Sequence, residues 1–543
     1  MLMSSKLLRG TFILTLGTFV SKFLGLFYVI PFFALVDKEG TALYQYAYVP
    51  YTIFISVATA GIPASVSKFI SKYNAIDEYA VGRKLFKSGL VLMAITGILS
   101  FLILYFSAPA ITSMIITDTD KNFVSRPEDV ITVIRAVSFA LIIIPFMSII
   151  RGFFQGHQSM GPTAVSQVVE QVVRIAFVLC GAFIVLNIMK GSLVSAVSFS
   201  VFAAFIGGIG GLAVLFWYWY KRKPYLDELL LKDKGTMDIS VKEIYKEILL
   251  YSIPFVLVGI SNPLFQFIDQ LTFNRTMTAI GFTGKDAEYA FSILNFQSHK
   301  LVIIPVSLAT AFSLTLVPAI TKSFMEQDRM GLSKQLNQTF QVLLYLTLPA
   351  AVGLSLLAEP IYNVFYEHNM LGTEVLKAYA PVGMLFALYS VTAAILQGID
   401  QQKFNILSLL VGILVKLSLN IPLIKLMETQ GAILATTLGY SAAIIINLIV
   451  IRYFSKYRFR LVFRRGLLIV IFTFIMYIAT KLMYTGLTLF MSPEVKIQAL
   501  IIVVICALVG AGVYFYLGLK SKLVNFLFGN RVDKIKQKLR LKI

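Results

Sequence analysis

Long apolar stretches alternate with short polar segments along the whole chain. Each stretch is long enough to cross the roughly 30 Å hydrocarbon core of a bilayer as a helix. The pattern predicts an all-α, polytopic membrane protein. Its fourteen transmembrane helices are expected near residues 10–35, 43–67, 86–107, 130–150, 163–187, 193–220, 248–273, 289–318, 336–358, 376–397, 404–424, 430–451, 466–489 and 497–519.

Charge predicts the orientation of these helices. Lys and Arg residues concentrate in the loops on the side that carries both termini, which the positive-inside rule assigns to the cytoplasm of a bacterial cell. Hydrophobic residues make up 58% of the chain and charged residues 14%, as expected for a membrane protein. The net charge of +21 lies mainly in these loops and in the C-terminal tail, so we expect contact with anionic membrane lipids and not with nucleic acid.

Catalytic and cofactor motifs are absent from the sequence. The chain lacks a phosphate-binding loop and an HExxH pair, and its loops are too short to hold a catalytic domain. Its two cysteines, Cys180 and Cys506, have no metal-ligand spacing. We therefore expect a protein that is not an enzyme or an ATP-driven pump and that uses no metal or cofactor.

An internal repeat organises the helices. A shift of 242 residues places Gly17 on Gly259, Ile62-Pro63 on Ile304-Pro305, Gln155-Gly156 on Gln397-Gly398, Ser166 on Ser408 and Arg174 on Lys416. Six helices per unit predict two parallel repeats, with lobes at 1–225 and 240–455, two extra helices at 456–520 and a basic tail at 521–543. The matched prolines Pro63 and Pro305 are predicted hinges, because proline removes a backbone hydrogen bond. The alternative is that they only shape packing.

Five cations lie inside the predicted spans, and they are the candidate substrate-binding residues: Lys22, Arg135, Arg174, Lys300 and Lys416. A cation in hydrocarbon costs roughly 2.5–3.5 kcal/mol on insertion scales, so such side chains normally face a cavity or the bundle interior. These five cations together predict that the protein carries an anionic substrate. Arg135, near the outer end of the fourth helix, could instead snorkel to the surface.

Polar residues accompany these cations. In the fifth helix, Glu170 lies four residues from Arg174, so the two could form an ion pair, or Glu170 could serve in ion coupling. The repeat-related helix keeps Lys416 but has Gly412 in place of the acid, which favours an anionic ligand. Asp269 in the seventh helix is a second candidate for coupling to H⁺ or Na⁺, or for charge balance. Supporting polar residues are Ser21, Gln167, Gln171, Asn262, Gln266, Asn295 and Ser298.

Several segments carry a family resemblance: Arg9 to Thr11, Val20 to Gly25, Gly61-Ile62-Pro63 and Arg151-Gly152-Phe153-Phe154-Gln155-Gly156. They resemble the MOP exporter superfamily. The nearest likeness is to its polysaccharide-flippase branch, which contains the MurJ-type lipid II flippases and the stage V sporulation protein B relatives. The resemblance implies a V-shaped, two-lobed bundle that works by alternating access, with helices 13 and 14 forming a groove for a lipid tail.

The resemblance also implies basic cavity residues on helices 1, 2 and 8. Ser21-Lys22 matches the Ser-Arg position of the first helix. The second cation of that helix is Tyr28 here, and the stretch Phe54 to Ser56 of the second helix has none. This departure gives Arg174, Lys300 and Lys416 a larger expected share of diphosphate binding.

Three functions follow as hypotheses. The leading one is a flippase that moves lipid II, a lipid-linked peptidoglycan precursor, from the inner to the outer leaflet. A flippase for another lipid-linked polysaccharide, or a multidrug and toxin exporter of the same superfamily, is the alternative within transport. The third is a non-transporting scaffold for envelope or spore-coat assembly, which would need no cavity charges.

Overall fold

The chain is all-α. A computed structural model describes residues 2–59, 61–116, 125–235, 240–314 and 317–528 and has no strand in these ranges. Within them, nine helices are long and apolar enough to cross a membrane, or ten if one bent pair is a single span. The predicted helical membrane fold is therefore confirmed, whereas the number fourteen stays a prediction.

Contacts between helices divide the chain at Ser292 and Ile293 into two units. The first unit contains ten α-helices and a π-helical segment, Ile184–Ile188. The α-helices are α1 Leu2–Phe27, α2 Val29–Thr59, α3 Ile62–Asn74, α4 Tyr79–Ile115, α5 Pro127–Ser138, α6 Ala140–Gly156, α7 Gly161–Phe183, α8 Leu193–Leu231, α9 Val241–Ala279 and α10 Gly284–Ser292.

The second unit begins with a π-helical segment, Ile293–Ser298. Its α-helices are α11 His299–Leu314, α12 Val317–Met325, α13 Arg329–Leu356, α14 Ala358–Phe365, α15 Met370–Tyr379, α16 Val382–Gly398, α17 Gln402–Ser455, α18 Arg460–Thr488, α19 Lys496–Lys520 and α20 Leu523–Phe528. The tail beyond residue 528 lies outside the described residues.

Helix α9 packs within the first unit. The hydroxyls of Ser65 and Ser252 are 2.8 Å apart, and the side-chain amide of Gln270 donates to the carbonyl of Tyr46 at 2.8 Å. The lobe limits derived from the repeat, 1–225 and 240–455, assign α9 to the second lobe. They remain a prediction.

Two of the long helices contain a sharp reversal. Asp37 in α2 and Glu428 in α17 have non-helical backbone angles, with φ of 55° and 53°. In α17 the ammonium of Lys416 lies 2.7 Å from the hydroxyl of Thr436, although twenty residues of straight helix would span about 30 Å. The chain therefore folds back at Glu428, so that α17 accommodates the two spans predicted at 404–424 and 430–451.

The repeat is visible in the helix ends. Helices α6 and α16 start and end at positions related by the 242-residue shift. Each is followed by a left-handed residue, Gln158 with φ 56° and Asp400 with φ 57°. The next amide then bonds to the carbonyl five residues back, Ser159 to Phe154 at 2.9 Å and Gln401 to Leu396 at 2.8 Å. These bonds form the same Schellman cap in both units.

The two predicted hinge prolines occupy different local positions. Pro63 is the second residue of α3, whose N-cap residue Gly61 has a φ of 77°. Proline is well tolerated there because the first helical amides have no intrahelical acceptor. Pro305 lies inside α11. The hinge role of both residues stays a prediction.

Glycines bring α7 and α8 together. A methyl group built on Gly207 would lie 2.8 Å from both the Cβ of Arg174 and the carbonyl oxygen of Glu170. On Gly211 it would lie 3.3 Å from the carbonyl oxygen of Ser166. Small residues allow such backbone contact in membrane helices. The part of α7 that contains Ser166, Glu170 and Arg174 is consequently held tightly against α8.

Candidate functional site

Tyrosines surround Arg174. Tyr44, Tyr48 and Tyr51 recur at i, i+4 and i+7 of α2 and so share one helix face. The guanidinium of Arg174 donates to the hydroxyl of Tyr44 at 3.2 Å and lies 5.7 Å from the centre of the Tyr48 ring. The ring of Tyr51 lies 5.5 Å from that of Tyr48, and the side chains of Tyr28 and Tyr44 are hydrogen-bonded. We call Tyr28, Tyr44, Tyr48 and Tyr51 the tyrosine cluster.

Within the described part of the chain, no carboxylate pairs with Arg174. Glu170, which could have paired with it, instead accepts from the guanidinium of Arg151 at 2.7 Å. Glu170 pairs with Arg151 because α6 packs next to α7. Arg151, near the end of α6, faces Glu170 and also donates to the hydroxyl of Ser166 at 3.0 Å. Neutral hydroxyls and aromatic rings are therefore the partners of Arg174.

Helix α1 packs against the polar residues Gln167 and Gln171 of α7. The hydroxyl of Thr18 donates to the side-chain oxygen of Gln167 at 3.1 Å, and that of Ser21 to its carbonyl at 2.9 Å. A methyl group on Gly25 would lie 3.0 Å from the side-chain nitrogen of Gln171. Lys22 follows Ser21 directly and is exposed. Helix α1 therefore packs against Gln167 and Gln171 of α7 on either side of Lys22, whose substrate-binding role stays a prediction.

The second unit holds the two other predicted lysines. Lys300 is half-buried, with its ammonium 5.7 Å from the centre of the Phe296 ring, next to the buried residues Asn295 and Ser298. Lys416 is fully buried. Its ammonium donates to the hydroxyl of Thr436 at 2.7 Å and to the carbonyl of Ala432 at 3.1 Å. Lys416 therefore contacts protein groups across the α17 reversal.

Two further predicted charges lie elsewhere in the first unit. Arg135 packs its guanidinium 5.0 Å from the centre of the Tyr105 ring on α4. Asp269 on α9 is buried, with 4% of its surface exposed. Asn262 and Gln266 precede it on the same helix and are half-buried. These residues are not among the contacts of Arg174.

Sequence reasoning missed Arg151 and the three tyrosines of α2, Tyr44, Tyr48 and Tyr51, as parts of this site. Arg151 lies one residue beyond the predicted fourth helix, 130–150, whereas α6 continues to Gly156 and carries Arg151 on its last turns. The i, i+4, i+7 spacing of the tyrosines in α2 could have shown from the sequence that they share one helix face. Their cation lies 130 residues away from Tyr44 in sequence, so only the fold joins them.

Comparison with known proteins assigns the family. A family described as "Polysaccharide biosynthesis protein" matches residues 7–324, which is more than half of the chain. The chain belongs to this family. It is 47% identical to the lipid II flippase MurJ of Bacillus subtilis over 98% of both chains. It is also 24% identical to the stage V sporulation protein B of that organism, over 76% of both chains. The resemblance inferred from the sequence is thereby confirmed.

Solved structures support the fold of this family member. An inward closed lipid II flippase MurJ aligns with a TM-score of 0.64 at 17% identity, covering 95% of this chain and 99% of that one. An inward-facing multidrug resistance MATE transporter of the MOP superfamily aligns with a TM-score of 0.59 at 16% identity, covering 82% and 94%. At these identities the likeness concerns the fold alone, and it confirms the predicted MOP-type architecture.

Proposed function

We propose that this chain is a flippase that carries lipid II, a lipid-linked diphosphate, from the inner to the outer leaflet by alternating access. The high identity to a lipid II flippase over the full length supports the substrate. The observation that carries the chemistry is Arg174, an arginine inside a membrane-spanning helix whose described partners are all neutral.

An arginine suits a diphosphate. Its planar guanidinium carries five donors in a fork that matches phosphate oxygens, and its charge persists at all physiological pH values. In the tyrosine cluster it is held in place by the Tyr44 hydroxyl, while the cluster contributes no negative charge. An arriving diphosphate therefore gains a charge-assisted contact without having to displace a carboxylate.

The other candidate cations have unequal parts in this proposal. Lys22, which follows Ser21 on α1, supplies a second positive charge for the diphosphate. Lys300 lies in the second unit and stays a predicted substrate-binding residue of that unit. Lys416, buried against Thr436, stabilises the α17 reversal in this conformation. Arg135, stacked on Tyr105, serves packing.

Ion coupling falls to Asp269 in this proposal. Asp269 is a carboxylate buried within α9, and a buried ionisable group in a membrane protein is a candidate for binding H⁺ or Na⁺. We place both termini in the cytoplasm because of the distribution of Lys and Arg in the loops. Lys and Arg in the cytoplasmic loops would contact anionic lipids.

The exporter and scaffold alternatives are less well supported. A pump for cationic drugs needs an accessible carboxylate among aromatic rings, whereas the cation here is itself surrounded by aromatic rings. A scaffold gains nothing from a buried cation that costs several kcal/mol.

The test is complementation of a strain depleted of its lipid II flippase, with lipid II exposure on the outer leaflet as the readout. Arg174→Gln removes a charged contact worth about 1.5–3 kcal/mol, so we expect exposure to fall by about tenfold or more. Arg135→Gln is the matched control and should restore exposure. Full rescue by Arg174→Gln at normal expression would refute the proposal, and dye efflux that depends on Asp269 would favour the exporter.

A further inference from the structure

Arg151 and Glu170 form an ion pair between two neighbouring helices. The pair joins α6 to α7 at 2.7 Å, and the two side chains are 12% and 22% exposed. Arg151 uses a second nitrogen to bond the hydroxyl of Ser166, one turn before Glu170 on α7. Two contacts on the same helix therefore fix the guanidinium and, with it, the direction of the Glu170 carboxylate.

The position of Glu170 matters because of its distance from Arg174. Residues four apart on a helix lie on the same face and can pair. Without Arg151, the carboxylate would be the natural partner of Arg174, and a neutralised Arg174 would attract an anion poorly. With Arg151 in place, Glu170 is engaged and Arg174 keeps its charge toward the tyrosine cluster.

The internal repeat offers an independent observation. Under the 242-residue shift, Arg151 corresponds to Ala393 and Glu170 to Gly412, so both charges of the pair are missing together. The cation that follows is retained, as Lys416. Of the two repeats, only the first therefore has the acid, Glu170, and it also has Arg151, which pairs with that acid.

We propose that Arg151 is a positioning residue for substrate binding: it holds Glu170 away from Arg174, so that Arg174 remains available to a lipid-linked diphosphate. This inference rests on the proposed function. It differs from a purely structural ion pair, in which Arg151 would join α6 to α7 without influencing the charge that a ligand meets.

The experiment measures equilibrium binding of undecaprenyl diphosphate to the purified full-length chain in detergent micelles. Arg151→Gln should weaken binding by about tenfold, because the released carboxylate pairs with Arg174. Adding Glu170→Gln to that variant should restore binding to within about threefold of the wild type, because no acid is left to compete.

A direct comparison covers the case in which Arg151→Gln alone does not fold. Glu170→Gln and the double variant R151Q/E170Q should then bind undecaprenyl diphosphate equally. Melting temperatures of all variants are recorded, because a structural role would lower the melting temperature of the double variant without predicting its restored binding.

Two results would overturn the inference. One is a double variant that binds as weakly as Arg151→Gln, or more weakly than Glu170→Gln. The other is an Arg151→Gln variant that folds and binds like the wild type. The proposed function fails separately if the Arg174→Gln variant binds undecaprenyl diphosphate as tightly as the wild type does.

Discussion

The contact between α7 and α8 allows a sharp test of how packing supports the site. Gly207 lies opposite Arg174, and an added methyl group would lie 2.8 Å from the carbonyl oxygen of Glu170 and 3.4 Å from the Cα of Arg174. Both are backbone atoms, so no side-chain rotation can relieve the overlap. Gly207→Ala must therefore push the two helices apart.

The expected cost follows from this geometry. Adding a methylene-sized group to a well-packed interface typically costs about 1–3 kcal/mol. Replacing glycine by alanine inside a helix also gains about 1 kcal/mol of helix propensity in soluble hosts. Gly181→Ala is the matched control, because it lies in α7 and its added methyl group would be 3.7 Å from Phe199, an ordinary contact. The difference between the two variants isolates the overlap, which we expect at about 1–3 kcal/mol.

The assay is equilibrium unfolding in mixed detergent micelles, combined with the complementation readout for lipid II exposure. Gly207→Ala should unfold at lower denaturant than Gly181→Ala and should transport less, because the shift moves Arg174 relative to its 3.2 Å contact with Tyr44. If Gly207→Ala proves as stable as Gly181→Ala, the described contact between α7 and α8 is not the one that stabilises the protein.

Three further outcomes are expected. Thr436→Val should lower the free energy of unfolding by about 1–3 kcal/mol, measured in micelles, because it removes a 2.7 Å acceptor from the fully buried Lys416. Gln158→Gly should raise it by up to about 1 kcal/mol, because glycine adopts the left-handed cap without strain. A hydrogen bond from Lys234 lowers the pKa of Asp77 below its ordinary 3.8, so this contact stabilises above that pH and is lost in acid. Asp77→Asn should weaken the decline of melting temperature between pH 5 and about pH 3.

Much of the fold could be predicted from the sequence. The apolar stretches gave the helical membrane class, because only helices satisfy the backbone within each segment in lipid. The repeat identified from a few dipeptides recurs in the Schellman caps that follow Gly156 and Gly398. Local hydrogen bonding of this kind depends on nearby residues, which explains why the sequence carried the information.

The ends of helices and the positions where the chain reverses were harder to predict from the sequence. The sequence pattern separated 404–424 from 430–451 but did not show that Glu428 alone makes the turn. It also ended the fourth helix one residue before Arg151, so a partly buried cation was assigned to a loop. Hydrophobicity averaged over a window cannot resolve a boundary to one residue, and a charged residue near a helix end is ambiguous by composition.

The sequence by itself determined that five cations lie within long apolar stretches and that Arg174 recurs as Lys416 in the repeat. Only the tertiary structure decided which groups those cations contact. Arg174 lies among tyrosines of α2, Glu170 pairs with Arg151 of α6, and Lys416 is buried within its own helical reversal. The physical reason is that spacing along one helix limits which side chains share a face, whereas the partner of each charge is set by the neighbouring helix that packs against that face.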